Sequence, residues 1–167
     1  MQRVIHNLEP VFDARSRVLI LGTMPSPVSR REAFYYAHPA NRFWRALSAV
    51  LGEPCPDEIA GKRRWLLCHR IALWDVLHSC EIEGASDQSI RNPVPNDIPG
   101  LLRAAPIAQV VTTGRRAHDL YQKLLQGESI CLPSPSAANC AMPLEALIER
   151  YRVVAPFLGE DCDDIAT

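Results

Sequence analysis

The chain has 167 residues, 47% of them hydrophobic and 22% charged, which is enough for one well-buried core and too few for two ordinary domains. Its longest apolar runs, Val18 to Leu21 and Ile71 to Trp74, fall far short of the ~20 residues that span a bilayer, and Met1 to Pro10 lacks the basic start and apolar stretch of a secretory signal, so a cytoplasmic protein without membrane attachment is expected. A formal net charge of −1 argues against a polyanionic partner, but residues 159–167 hold four acids, and without them 18 basic side chains face 15 acidic ones, a net of +3, with all but Lys62 and Lys123 being arginine.

In chain order, Arg17 to Leu21 is a short apolar run ended by Gly22 and reads as a buried parallel strand. Asn41 to Leu51 carries Phe43, Trp44, Leu47, Val50 and Leu51 at helical spacing and stops at Gly52. Ile71 to Leu77 reads as a second strand, Ile107 to Thr113 as a third and Ser129 to Leu132 as a short fourth, with helical patterns over Ile98 to Ala104 and Arg115 to Leu125. Asn92 to Pro99 holds three prolines and is expected to be an ordered surface loop. Pro143 to Leu158 has the apolar face of an amphipathic helix. Strands alternating with helices predict an α/β fold, a three-layer αβα sandwich around a short, mainly parallel four-stranded sheet. The domain then covers residues 1–158, followed by an acidic tail over 159–167. In such a fold ligands bind beyond the carboxyl ends of the strands. No nucleotide-binding glycine motif of either common kind occurs. The six cysteines show no C-x-x-C pair, so free thiols and no metal are expected.

Two segments carry a resemblance. Gly22-Thr23-Met24-Pro25-Ser26 followed by Phe34-Tyr35-Tyr36-Ala37-His38-Pro39-Ala40-Asn41-Arg42-Phe43-Trp44 resembles the first motif region of the mismatch-specific uracil/thymine and the hypoxanthine-DNA glycosylases, within the uracil-DNA glycosylase superfamily. Leu132-Pro133-Ser134-Pro135-Ser136-Ala137-Ala138-Asn139 is similar to the superfamily's second motif, a loop that presses into DNA beside an extruded base, and the similarity runs in order from about Val18 to Leu158. What the resemblance implies is a monofunctional glycosylase of base excision repair that acts without a cofactor. Its substrate would be double- or single-stranded DNA bearing a deaminated base, hypoxanthine first, and it would work as a monomer. Removal of uracil or of mismatched bases is the alternative within the class. A DNA-binding module that has lost its chemistry is the alternative outside it.

The residues divide between this reading and blander ones. A base must leave the duplex to be cut and needs an aromatic face to stack on. Tyr36 matches that position, although aromatic clusters more often serve a core. Asn41 would orient the attacking water, or merely cap a helix. Many uracil-removing relatives place the water-activating Asn or Asp where this chain has the apolar Met24, which would line the base site without activating water. Asp75, late in an apolar strand, accepts hydrogen bonds only when ionised, so it would read an imino N–H such as N1–H of hypoxanthine; its bland reading is an arginine partner or a loop cap. His38 could stabilise the departing base or shape the turn before Pro39, the latter being favoured. Ser134 and Ser136, with Arg115 and Arg116 after Gly114, are candidates for phosphate contact. Neither lysine falls in a motif, so a Schiff-base step is not expected.

Overall fold

The computed structural model describes residues 1–159, so the acidic stretch from Glu160 onward lies outside the described residues. The strands are β1 (Gln2–Ile5), β2 (Val18–Gly22), β3 (Ile71–Asp75), β4 (Leu77–Ile82), β5 (Arg91–Pro95), β6 (Gln109–Thr113) and β7 (Ile130–Leu132). The α-helices are α1 (Pro27–Glu32), α2 (Phe43–Leu51), α3 (Ile59–Cys68), α4 (Ile98–Ala104), α5 (Arg115–Leu125) and α6 (Leu144–Tyr151). A parallel sheet runs in the order β3-β2-β6-β7, as the α/β reading expects.

Alternation along its strands builds the three layers. Val18 and Ile20 of β2, Ile71 and Leu73 of β3 and Val111 of β6 point to one side, where they meet Phe43 and Leu47 of α2, Leu66 of α3 and Leu147 and Tyr151 of α6. Leu19, Leu21, Ala72 and Val110 point to the other, against Ile98 and Leu101 of α4 and Ala117, Leu120 and Tyr121 of α5. With both faces covered, β2 has no exposed position, which is why its sequence is a continuous apolar run and not an alternating one.

A second sheet departs from the sequence reading. β4 pairs antiparallel with β1, from Gln2↔Ile82 to Ile5↔Ser79, and with β5, giving the order β1-β4-β5. The expected strand Ile71 to Leu77 is therefore two strands. The Val76 N–H bonds Gly22 O at 2.8 Å, and the chain then leaves the parallel sheet and starts β4. The expected loop from Asn92 to Pro99 holds β5 and the start of α4. Prolines are tolerated there because β5 is an edge strand whose pairing is interrupted by two register shifts, so few ladder N–H groups are needed. The last amphipathic segment is shorter than its pattern, since α6 ends at Tyr151 and Arg152–Phe157 continues as a 3-10 turn containing Pro156. Cys55, Cys80, Cys131 and Cys140 are free thiols, but Cys68 is disulfide-bonded, against the expectation from spacing alone. Among the described residues no helix is long and apolar enough to cross a membrane.

Candidate active site

The carboxyl ends of the parallel strands open into one cavity of about 310 Å³. Gly22, Asp75 and Thr113 end three adjacent strands, with Gly22 and Asp75 directly paired. A Cβ on Gly22 would lie 2.5 Å from Asp75 Oδ1 and 3.0 Å from the Tyr36 hydroxyl, so these groups converge only because position 22 has no side chain. Met24, Tyr36, His38, Asn41, Asp75, Ser134 and Ser136 all line this cavity, bringing together seven of the nine residues picked out in the sequence. Arg115 and Arg116 do not line it. They open α5 immediately after Gly114, whose backbone has a φ of +109° and whose open side faces Ser134, and Arg115 is exposed.

Tyr36 is held in a left-handed backbone conformation, φ +51°, which a bulky residue adopts only where its surroundings enforce it. One face of its ring is stacked on Phe43 at 4.0 Å between centroids, leaving the opposite face as the only one a base could use. Its hydroxyl bonds Thr113 Oγ1 at 2.8 Å, and burial pushes its ionisation far above the ordinary tyrosine range. Asn41 accepts the Phe43 N–H through Oδ1 at 2.9 Å, so it satisfies the first N–H of α2 in the manner of a cap, one position ahead of the N-cap residue Arg42. The same bond orients its amide, with one Oδ1 lone pair and the NH2 group uncommitted among the described residues. His38 is exposed, and its Nδ1 accepts the Ala40 N–H at 3.0 Å, the bond expected of a turn residue. Met24 packs at the edge of the second core cluster and offers the cavity no polar atom.

The second motif is a stiff loop. Ser134 Oγ accepts the Ser136 N–H and Ser136 Oγ accepts the Ala138 N–H, both at 3.2 Å, which leaves each hydroxyl hydrogen free to donate. Arg42 fastens this loop to α2. Its backbone N–H donates to Pro135 O at 3.0 Å, and its guanidinium donates to Met142 O at 2.5 Å and Asn139 O at 3.0 Å. Tyr151 donates to Pro133 O and Asn139 Nδ2 to Ser134 O, at 3.2 and 3.0 Å.

Three residues absent from the sequence reading shape the cavity's floor and rim. His6 Nε2 donates to Asp75 Oδ2 at 2.9 Å, and both side chains are almost wholly buried. Asn96 donates to the backbone carbonyls of Asp75 and Leu77 at 2.9 and 3.0 Å, closing the turn that follows Asp75. Asp87, in the short turn between β4 and β5, lines the rim. Desolvation first, and then the charge of Asp75, push its carboxyl above the usual range against the opposing pull of a Thr23 hydrogen bond and Arg116, even though its outer atoms remain exposed. No motif marks His6 or Asn96. The available signal was general: a buried carboxylate requires partners, but not which ones.

The profile of the Uracil DNA glycosylase superfamily matches residues 9–153. The chain is 38% identical over 133 residues to a hypoxanthine DNA glycosylase of Methanosarcina acetivorans, covering 77% of this chain and 84% of that protein. It is 34% identical over 134 residues to the protein of the same name from Methanosarcina barkeri, covering 78% and 85%. The solution NMR structure of a candidate uracil DNA glycosylase from Methanosarcina acetivorans superimposes with a TM-score of 0.76 at 32% identity, over 92% of this chain and 99% of that one.

Proposed function

Because the chain belongs to the uracil DNA glycosylase superfamily, we propose that it hydrolyses the bond between deoxyribose C1′ and hypoxanthine in DNA, leaving an abasic site. The observation that carries the choice of base is Asp75, a buried carboxylate at the cavity floor whose Oδ1 accepts a hydrogen bond from no described residue. An acceptor there suits the N1–H of hypoxanthine and is mismatched to the unprotonated N1 of adenine. The 38% identity to a hypoxanthine DNA glycosylase supports the same choice.

In this reading the extruded base lies against the free face of Tyr36 and reaches Asp75 Oδ1 with its imino edge. The C1′–N9 bond breaks with its electron pair moving to the base, and the sugar becomes cationic. Asn41 orients the water that adds to C1′, and the water's second proton passes to solvent or to the departing base. Preorganised dipoles of this kind are worth roughly 100-fold or more each in rate. Ser134 and Ser136 donate their free hydroxyl hydrogens to the flanking phosphates, with Arg115 and Arg116 further along the backbone. No lysine lines the cavity, which favours direct hydrolysis over a Schiff-base route. Residues 1–158 form the catalytic unit, acting as a monomer.

The test is incubation with duplexes carrying inosine, xanthine, uracil or a G:T mismatch, followed by alkaline cleavage at abasic sites. Inosine should be the fastest substrate. Asp75→Asn, which can present an NH2 group in place of an acceptor, should lower inosine release and change the inosine-to-uracil ratio. An unchanged ratio would remove Asp75 from base reading.

A further inference from the structure

Hypoxanthine and guanine present the same N1–H and O6, and guanine adds only an amino group at C2. An enzyme that reads N1–H must therefore reject a base that is abundant in every DNA molecule. A carboxylate is a poor choice for this when both its oxygens are free. The N1–H and N2–H of guanine are parallel neighbours, and two free carboxylate oxygens accept such a pair bidentately.

Asp75 does not have two free oxygens. Oδ2 accepts the His6 Nε2–H at 2.9 Å, while Oδ1 is left for the cavity. The direction of that bond is fixed by the other ring nitrogen. His6 Nδ1 accepts the Leu8 N–H at 3.3 Å, so it carries no proton, and the ring's hydrogen sits on Nε2 facing Asp75. The ring itself is anchored. The backbone N–H of His6 donates to His78 O at 2.6 Å, continuing the β1–β4 pairing, and the ring lies 6.1 Å from that of Tyr35. On the other side of the carboxylate, Asn96 holds the carbonyl of Asp75.

We propose that His6 is a specificity-determining positioning residue: by donating to Asp75 Oδ2 and setting its ring against that oxygen it competes with any second donor there, so that the carboxylate offers hypoxanthine the unengaged Oδ1 and accepts the amino group of guanine poorly. The inference rests on Asp75 being the group that meets the base. A buried donor left without a full partner weakens binding by roughly 10- to 100-fold, so competition for this one oxygen is sufficient for useful discrimination.

The full chain is compared with His6→Phe, which keeps a ring beside Tyr35 but removes the N–H, and with His6→Gln, whose amide can again donate to Oδ2. Calorimetric affinities are measured for deoxyinosine, deoxyguanosine and 1-methyldeoxyinosine. The wild type should bind deoxyinosine at least about tenfold more tightly than deoxyguanosine and should lose affinity for the 1-methyl compound. In His6→Phe the preference for deoxyinosine should fall by roughly tenfold or more, chiefly through tighter deoxyguanosine binding, and His6→Gln should restore much of it. A folded His6→Phe protein with the wild-type ratio overturns the proposal. A wild type that binds deoxyguanosine as well as deoxyinosine also overturns it, and that measurement needs no variant to fold. The excision assay on inosine duplexes is scored separately. Absence of excision with the expected shift in nucleoside preference would reject the proposed reaction and retain the role of His6.

Discussion

Replacing Asn41 by alanine removes two things at once, the Oδ1 that caps α2 and the amide that faces the cavity. The lost cap should cost about 1 kcal/mol, a fall of roughly 2–4 °C in Tm for a chain of this size. The lost amide should lower the single-turnover rate on inosine DNA by roughly 100-fold with little change in DNA affinity, as for an interaction made only in the transition state. Asn41→Ser separates the two, because a serine oxygen can still cap the helix. It should recover Tm in a melting experiment without recovering the rate. A rate that returns together with the cap would make Asn41 structural. Met24 bears on the same question: with an apolar side chain where many relatives place a polar one, the water has few other protein groups to rest on.

The turn from β3 into β4 shows how an element can decide a site that its own sequence only half describes. Asn96 closes this turn by bonding two carbonyls, those of Asp75 and Leu77, and is itself 6% exposed. Asn96→Ala should cost about 2 kcal/mol through the unpaired carbonyls, or roughly 4–8 °C in Tm, and should reduce inosine release by more than the stability loss accounts for, since Asp75 loses its backbone anchor. Thermal melting and single-turnover rates at a temperature well below Tm check both parts. The parallel sheet was legible in the sequence because its strands are buried on both faces and its turns carry glycine, and the cavity followed from where those strands end. The β1-β4-β5 sheet was not. β1 is four residues with a single buried position, and β5 carries two prolines that an edge strand tolerates but a pattern reading excludes. Tyr36 and Asn41 stood out because they lie in the first motif string, and Asp75 because a carboxylate late in an apolar strand is out of place. His6 acts across 69 positions of sequence, and no local signal encodes that pairing.

For the molecule as a whole, affinity for duplex should fall with ionic strength in spite of the near-neutral formal charge. The basic side chains of the body outnumber the acidic ones, Ser134 and Ser136 line the cavity, and Arg115 and Arg116 open α5 just after Gly114, which faces Ser134. If two to four phosphates are neutralised, log K against log salt should slope by about −2 to −4. Titrations of an uncleaved duplex between low and physiological salt provide the check, and a flat line would reject this surface as the contact. The loop from Pro133 to Met142 enters that encounter already finished. With the carbonyls of residues 133, 134, 135, 139 and 142 tied to Tyr151, Asn139 and Arg42, it has little freedom left to lose on binding. Its tip, Ala137-Ala138, is also too small to act as a strong wedge. The deformation must then come from the nucleic acid, so the rate of extrusion should follow how loosely the target is stacked and paired. A frayed, mispaired or unpaired lesion should yield sooner than the same lesion in a stiff helix, with no protein contact distinguishing the two.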